Sequence, residues 1–301
     1  LYKKPRGENT QNGKTGTMTN FKRLVAFGCS HTAGAEIADH TVLGLSSQEY
    51  HDEVKKIINS ESTFKQQMVK FNEVFWNDKH LLLKRDNLNR SLSWSSKLAR
   101  KLNLGNLNMS QFGNSMSNIF FEIVDQFNKH NLFPNDLIVI GLTHLHRYTV
   151  FTPNTELYFQ KEKRESQGIT ELSLEPHEQK NIQQIYNHEQ FVWIYYNTLK
   201  QIEQFSLANN LTVMMFPIAG RHELDPYFEG WLGETRIKNI NNHAKWCWKT
   251  LMPNILMGNI GLHYFNLEQI YCVWGHYPES NHELYAEYAC QLIKQHKLFK
   301  Q

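Results

Sequence analysis

Short apolar-rich runs separated by amphipathic stretches constrain this chain more than any other feature. The runs are RLVAFGC at 23–29, NLNMS at 106–110, DLIVIGLT at 136–143 and LTVMMFPI at 211–218, with a weaker fifth, QIYCVW, at 269–274. Each has the length of a strand buried on both faces, and glycine or polar residues close most of them. Between them lie helical patterns at 91–102, 115–130, about 177–208 and 282–296. Strand alternating with helix predicts an α/β fold: a parallel sheet of about five strands sandwiched between helical layers. Ligands of such sheets sit beyond the carboxyl ends of the strands, so the residues there are the ones to read for chemistry.

Two stretches interrupt the alternation, 41–90 and 150–176. The first is charged and contains amphipathic pieces such as YHDEVKKIINS; the second is polar and irregular. Both read as insertions, either folded over the site or forming plain surface or oligomer contacts. Residues 1–17 are polar and aperiodic, and read as a leader or disordered extension, leaving 18–301 as a single domain. Lys3, Lys4, Arg6 and Lys14 against Glu8 account for the formal charge of +3, so the remainder is balanced and no nucleic-acid partner is expected. The four cysteines, Cys29, Cys247, Cys272 and Cys290, form no CxxC pair, which argues against a zinc knuckle or disulfide framework. No run reaches the roughly 20 apolar residues that span a bilayer, and no signal-peptide pattern is visible. The expected location is cytoplasmic, with no membrane partner.

The first strand delivers Ser30 between Gly28 and Gly34, within AFGCSHTAG. A serine there is either a helix cap or a nucleophile presented by a sharp turn, beside backbone N–H groups that favour negative charge. The second strand leads to Asn108 and Gly113, the third to Thr143, His144, His146 and Arg147, and the last helix is preceded by Trp274 and His276. All four segments end at one edge of the predicted sheet. A base, a hydroxyl and oxyanion donors gathered from distant sequence are what acyl transfer requires.

These segments resemble the ordered blocks of the SGNH, or GDSL-like, hydrolase superfamily. GCSHTAG is similar to the first block, GDSxTxG, with Ser30 at the nucleophile position. NMSQFGNS resembles the second, in which Asn108 precedes by five residues the oxyanion glycine, Gly113; VIGLTH resembles the third, usually GxND; and His276 followed by Ala286 matches the spacing of the last. The resemblance implies a flavodoxin-like three-layer α/β/α sandwich, and a serine esterase that needs no cofactor or metal and cleaves an O-acyl ester of a small molecule or carbohydrate. Ser30 would attack, His276 would move the proton, and Ser30 N–H, Gly113 N–H and Thr143 would hold the oxyanion. His31, Asn108, His144, Arg147 and Trp274 are candidate pocket residues.

The sequence also departs from that pattern. Cys29 replaces the first-block aspartate and Thr143 the oxyanion asparagine. Val273 stands three residues before His276, where the triad aspartate belongs. Three arrangements follow: a Ser–His dyad held by a backbone carbonyl, an atypical triad whose acid comes from elsewhere, or a catalytically inactive binding or structural module. Glu279, Glu268 and Asp225 are candidate acids. Glu279 and His282 also form an acid-x-x-His pattern, in which His282 would be the base and Glu279 its orienter. A third class of function, a metal site built from His31, His144, His146, His276 and His282, lacks nearby carboxylates to complete a ligand set.

Overall fold

The computed structural model describes residues 21–143, 148–150, 167–169, 188–218, 255–257, 262 and 276–295. Five parallel strands form the central sheet: β1 (Arg23–Phe27), β2 (Gly105–Asn108), β3 (Asp136–Leu142), β6 (Thr212–Pro217) and β7 (Ile255–Met257). Their spatial order is β2-β1-β3-β6-β7. Counted along the sheet's own strands this is 2-1-3-4-5, the flavodoxin-like order, whose switch point lies between the first and third strands. Short β4 (Tyr148–Val150) and β5 (Gln167–Ile169) pair antiparallel as a separate ribbon.

The helices are α1 (Ser30–Ala33), α2 (Asp39–Leu43), α3 (Ser47–Ser60), α4 (Phe64–Phe75), α5 (Lys79–Leu92), α6 (Trp94–Lys101), α7 (Met116–Asn128), α8 (His188–Ala208) and α9 (Glu279–Gln295). Strand residues alternate between two cores, as the period of two requires. Val25, Phe27, Ile138, Ile140, Val213 and Met215 pack with Ile119 and Ile123 of α7 and Leu199 and Ile202 of α8. Leu24, Ala26, Leu137, Val139, Met214 and Phe216 face the opposite layer, where Trp94 and Leu98 of α6 meet Tyr285, Ala289 and Ile293 of α9. The expected three-layer sandwich is therefore present.

Four of the expected strands lie where the apolar runs placed them. The fifth strand of the sheet is Ile255–Met257, and the run at 269–274 lies outside the described residues. The stretch 41–90 folds into three helices with a small core of their own, in which Val54, Ile57, Phe71 and Trp76 are buried. Local signals start these helices: Ser46 with Glu49 and Thr63 with Gln66 form capping boxes, and Asp78 caps α5. Among the described residues no helix is long and apolar enough to cross a membrane.

Register sets the site. Ala26 stands level with Asn108 and Val139, and Phe27 with Ile140, so β1, β2 and β3 run out at one edge. Gly28, Met109 and Thr143 are delivered there together.

Candidate active site

The chain leaves β1 through Gly28, where an added Cβ would collide with the Thr32 side chain. Thr32 is fully buried, and the turn closes only because residue 28 has no side chain. Cys29 is the N-cap of α1 and makes no side-chain capping bond. Ser30 is therefore the first helical residue rather than the cap, and it is 6% exposed. Gly34 ends α1 in the left-handed region at φ 79°, and a Cβ there would strike the Asn89 carbonyl. Glycine meets both demands.

Neighbouring turns are tied to this one. Gln111 N–H donates to the Gly28 carbonyl at 3.1 Å, and Asn114 Nδ2 reaches the same oxygen at 3.4 Å. Gly113 thus lies in a turn held against the Ser30 turn. Asn118 donates to Asn114 Oδ1 at 2.5 Å, and both amides donate to Glu122 at 3.2 Å. Burial pushes the Glu122 carboxyl up to about 8, although the Asn114 bond, the Arg90 charge and the Asn118 bond all pull it down. Thr143, at the end of β3, is 5% exposed. Its carbonyl accepts from Tyr195 Oη at 3.1 Å, while its hydroxyl makes no hydrogen bond among the described residues.

The far end of the chain closes the site. His276 packs on His31 with ring centroids 4.8 Å apart, and His31 also meets Tyr277 at 5.3 Å. The structure therefore brings the residue after Ser30 against the expected base. His276 Nδ1 lies 2.7 Å from Glu36 Oε2, across 240 positions of sequence. A carboxylate only accepts, so Nδ1 is the donor, and in the neutral imidazole the lone pair is on Nε2. The Glu36 side chain is 2% exposed and that of His276 17%.

Glu36 is a candidate site residue that the motif spacing misses. It sits six positions after Ser30 in AGAEIAD, among Ala35, Ile37 and Ala38. An isolated carboxylate inside an apolar stretch is the signal that could have found it, because a buried charge must be paired. Its backbone adopts φ 65°, which a non-glycine residue holds only when its surroundings over-determine it.

Other expected residues take different places. Glu279 is not beside His276: its side chain is 49% exposed and pairs with Lys97 Nζ at 2.6 Å. Facing solvent at the start of α9, it has been captured by a lysine from α6. Nor is His282 an available base. It is 1% exposed, and its Nδ1 accepts from the Trp94 backbone N–H at 3.0 Å. Burial, then the nearby His276 and Lys97 charges, lower its pKa to about 3, against a backbone hydrogen bond with Tyr277 that raises it. Asn108 serves as a tie rather than a pocket wall, since its amide donates to the Thr32 carbonyl at 3.0 Å and to Ser93 and Ser95 hydroxyls at 3.0 and 3.2 Å. His144, His146, Arg147, Asp225, Glu268, Val273 and Trp274 lie outside the described residues. Among the described residues no group of three or more His, Cys, Asp and Glu side chains is arranged to hold a metal ion.

With this geometry in hand, comparison with known proteins adds the following. No protein-family model matches the sequence, and no curated protein matches it. The structural neighbours are GDSL-family proteins and esterases. A member of the lipolytic protein G-D-S-L family from Veillonella parvula aligns with 91% of this chain and 99% of its own, at 10% identity and a TM-score of 0.44. The psychrotrophic esterase EstA from Pseudoalteromonas aligns with 91% of this chain and 97% of its own, at 10% identity and a TM-score of 0.41. A family two carbohydrate esterase from Clostridium thermocellum covers 92% of this chain and 64% of its own, at 12% identity and a TM-score of 0.42.

Proposed function

We propose that this protein is a serine hydrolase of O-acyl esters whose triad is Ser30, His276 and Glu36. The observation that carries the reading is the 2.7 Å contact between His276 Nδ1 and Glu36 Oε2 on the loop that follows Ser30. Val273 was the feature that favoured a non-catalytic module, through the loss of an orienting acid. A carboxylate held against the imidazole supports catalysis instead, because it fixes the tautomer and stabilises the imidazolium that forms during attack.

In the reaction, Ser30 Oγ attacks the ester carbonyl while His276 Nε2 takes the hydroxyl proton. Ser30 N–H, Gly113 N–H and the Thr143 hydroxyl stabilise the oxyanion. His276 then returns the proton to the leaving alcohol, and water repeats the sequence on the acyl enzyme. Every step is proton transfer and acyl transfer at the serine oxygen. An acylated carbohydrate is one substrate of this class.

The test is hydrolysis of p-nitrophenyl acetate and of an acetylated sugar, with fluorophosphonate labelling of wild type, Ser30→Ala and His276→Ala. Wild type is expected to turn over and to take the label at Ser30, and each variant to lose on the order of 10³-fold or more in kcat. Turnover that survives Ser30→Ala overturns the assignment of the nucleophile. A wild type that neither hydrolyses esters nor takes the label overturns the enzyme reading in favour of a binding module.

A further inference from the structure

The loop from Gly34 to Asp39 carries Glu36, and one side chain of the inserted helices, Asn89, bonds it at two adjacent residues. Asn89 of α5 is 1% exposed. Its Oδ1 accepts from Ala38 N–H at 2.8 Å, and its Nδ2 donates to Asp39 Oδ1 at 2.7 Å. Its own carbonyl lies where a side chain at residue 34 would have to go. Asn89 therefore touches the loop on both flanks of Glu36.

Asp39 extends the same hold. It is fully buried and also accepts from Arg85 Nε of α5 and Tyr50 Oη of α3, both at 3.2 Å. Arg85 is itself braced over the Trp76 ring, 4.6 Å from its centroid. Burial, with Asp39 and then Glu36 close by, pushes the Tyr50 hydroxyl far above its ordinary value, so it stays a donor. A buried amide with donor and acceptor both committed has one orientation, and it fixes the backbone that it grips.

We propose that Asn89, with Asp39 behind it, is a positioning residue for the catalytic acid: it clamps the 34–39 loop so that the Glu36 carboxylate meets His276 Nδ1. The insertion at 41–90 is then part of the triad's support and not only a surface excursion. The proposal rests on the reading of Glu36 as the triad acid. It assigns α3 and α5 the support of the loop that brings Glu36 to the histidine.

The experiment uses the full chain with Asn89→Asp, which keeps the acceptor for Ala38 but loses the donor and repels Asp39. Expected is a fall in kcat of roughly 30- to 100-fold, as for a displacement of about 1 Å in a catalytic group, with KM within about two-fold. In a Glu36→Gln background the same substitution is expected to change kcat by less than about two-fold, because the clamp acts only through Glu36. A fall of equal size in both backgrounds makes Asn89 merely structural and overturns the proposal, as does an unchanged kcat in folded Asn89→Asp.

A second readout is independent of turnover. The proton on His276 Nδ1, identified by its loss in His276→Ala, should give a downfield NMR resonance that weakens in Asn89→Asp. If wild type hydrolyses no ester, the function proposed above fails while this resonance still decides the clamp. Should Asn89→Asp not fold, Tyr50→Phe removes a donor to Asp39 without loss of ring volume. A fall in kcat of about 3- to 10-fold, or a weakened resonance, supports the clamp; unchanged kcat together with an unchanged resonance overturns it.

Discussion

His276 and His282 stand six residues apart, on and just before one helix, and their surroundings are opposite. The first is partly open to solvent and its Nδ1 is hydrogen-bonded to a buried carboxylate. The second is sealed between α6 and α9, where its Nδ1 accepts the Trp94 backbone N–H and burial holds its pKa near 3. Either fits an acid-x-x-His or triad-like reading on paper. The difference teaches that a histidine's role follows from what its δ nitrogen faces: a carboxylate leaves a base on the other nitrogen, whereas a backbone donor turns the ring into part of the scaffold.

The sharpest way to break this contrast is to take away the carboxylate. Glu36→Gln keeps the size of the side chain but offers an amide, and kcat should fall on the order of 10³-fold with little change in KM, measured on p-nitrophenyl acetate. Near-normal turnover would leave His276 as half of a dyad and remove Glu36 from the mechanism.

His282→Gln should act on stability instead. It is expected to cost about 2 kcal/mol in urea unfolding through lost packing and a poorer bond to the Trp94 N–H, while kcat of the folded protein stays within about two-fold. Its pH signature has a definite sign. An unfolded histidine binds a proton near 6.5, and the folded His282 only near 3. Between those values the unfolded state holds more protons, so the contribution is complete above about 6.5 and is lost as pH falls toward 3. That part of the acid sensitivity should vanish in His282→Gln. Unfolding midpoints taken across the range check it.

Glu279→Gln is the smallest expected effect. The side chain is half exposed and its lysine has Glu283 as a second partner at 3.0 Å, so stability should change by no more than about 1 kcal/mol and activity not measurably. A large loss of kcat would restore Glu279 as the acid and make the contact with Glu36 incidental.

The sheet was legible because its information is local. A run such as DLIVIGLT announces burial on both faces in its own letters, and all seven residues of β3 are buried. The turn at Ser30 was legible for the same reason, through the glycines at 28 and 34. Glu36 was not, because nothing near it in sequence states its partner. Its meeting with His276 depends on a loop held in an unusual backbone conformation by Asn89, Tyr50 and Arg85, all contributed by an insertion whose helices the sequence announced but whose purpose it did not. A spacing rule points to position 273, which is a valine, and downstream to Glu279. The acid proposed here lies instead close after the serine. β7 is less legible for a smaller reason: ILM at 255–257 is too short a run to stand out.

Because the proposed nucleophile and acid share one stretch of backbone, the imidazole alone of these three comes from far along the sequence, and it arrives on the approach to α9. Fraying of that helix would strip the proton carrier from both companions in a single event. Amide exchange along α9 and the thermal loss of turnover should accordingly report one common opening free energy, well before the central sheet gives way.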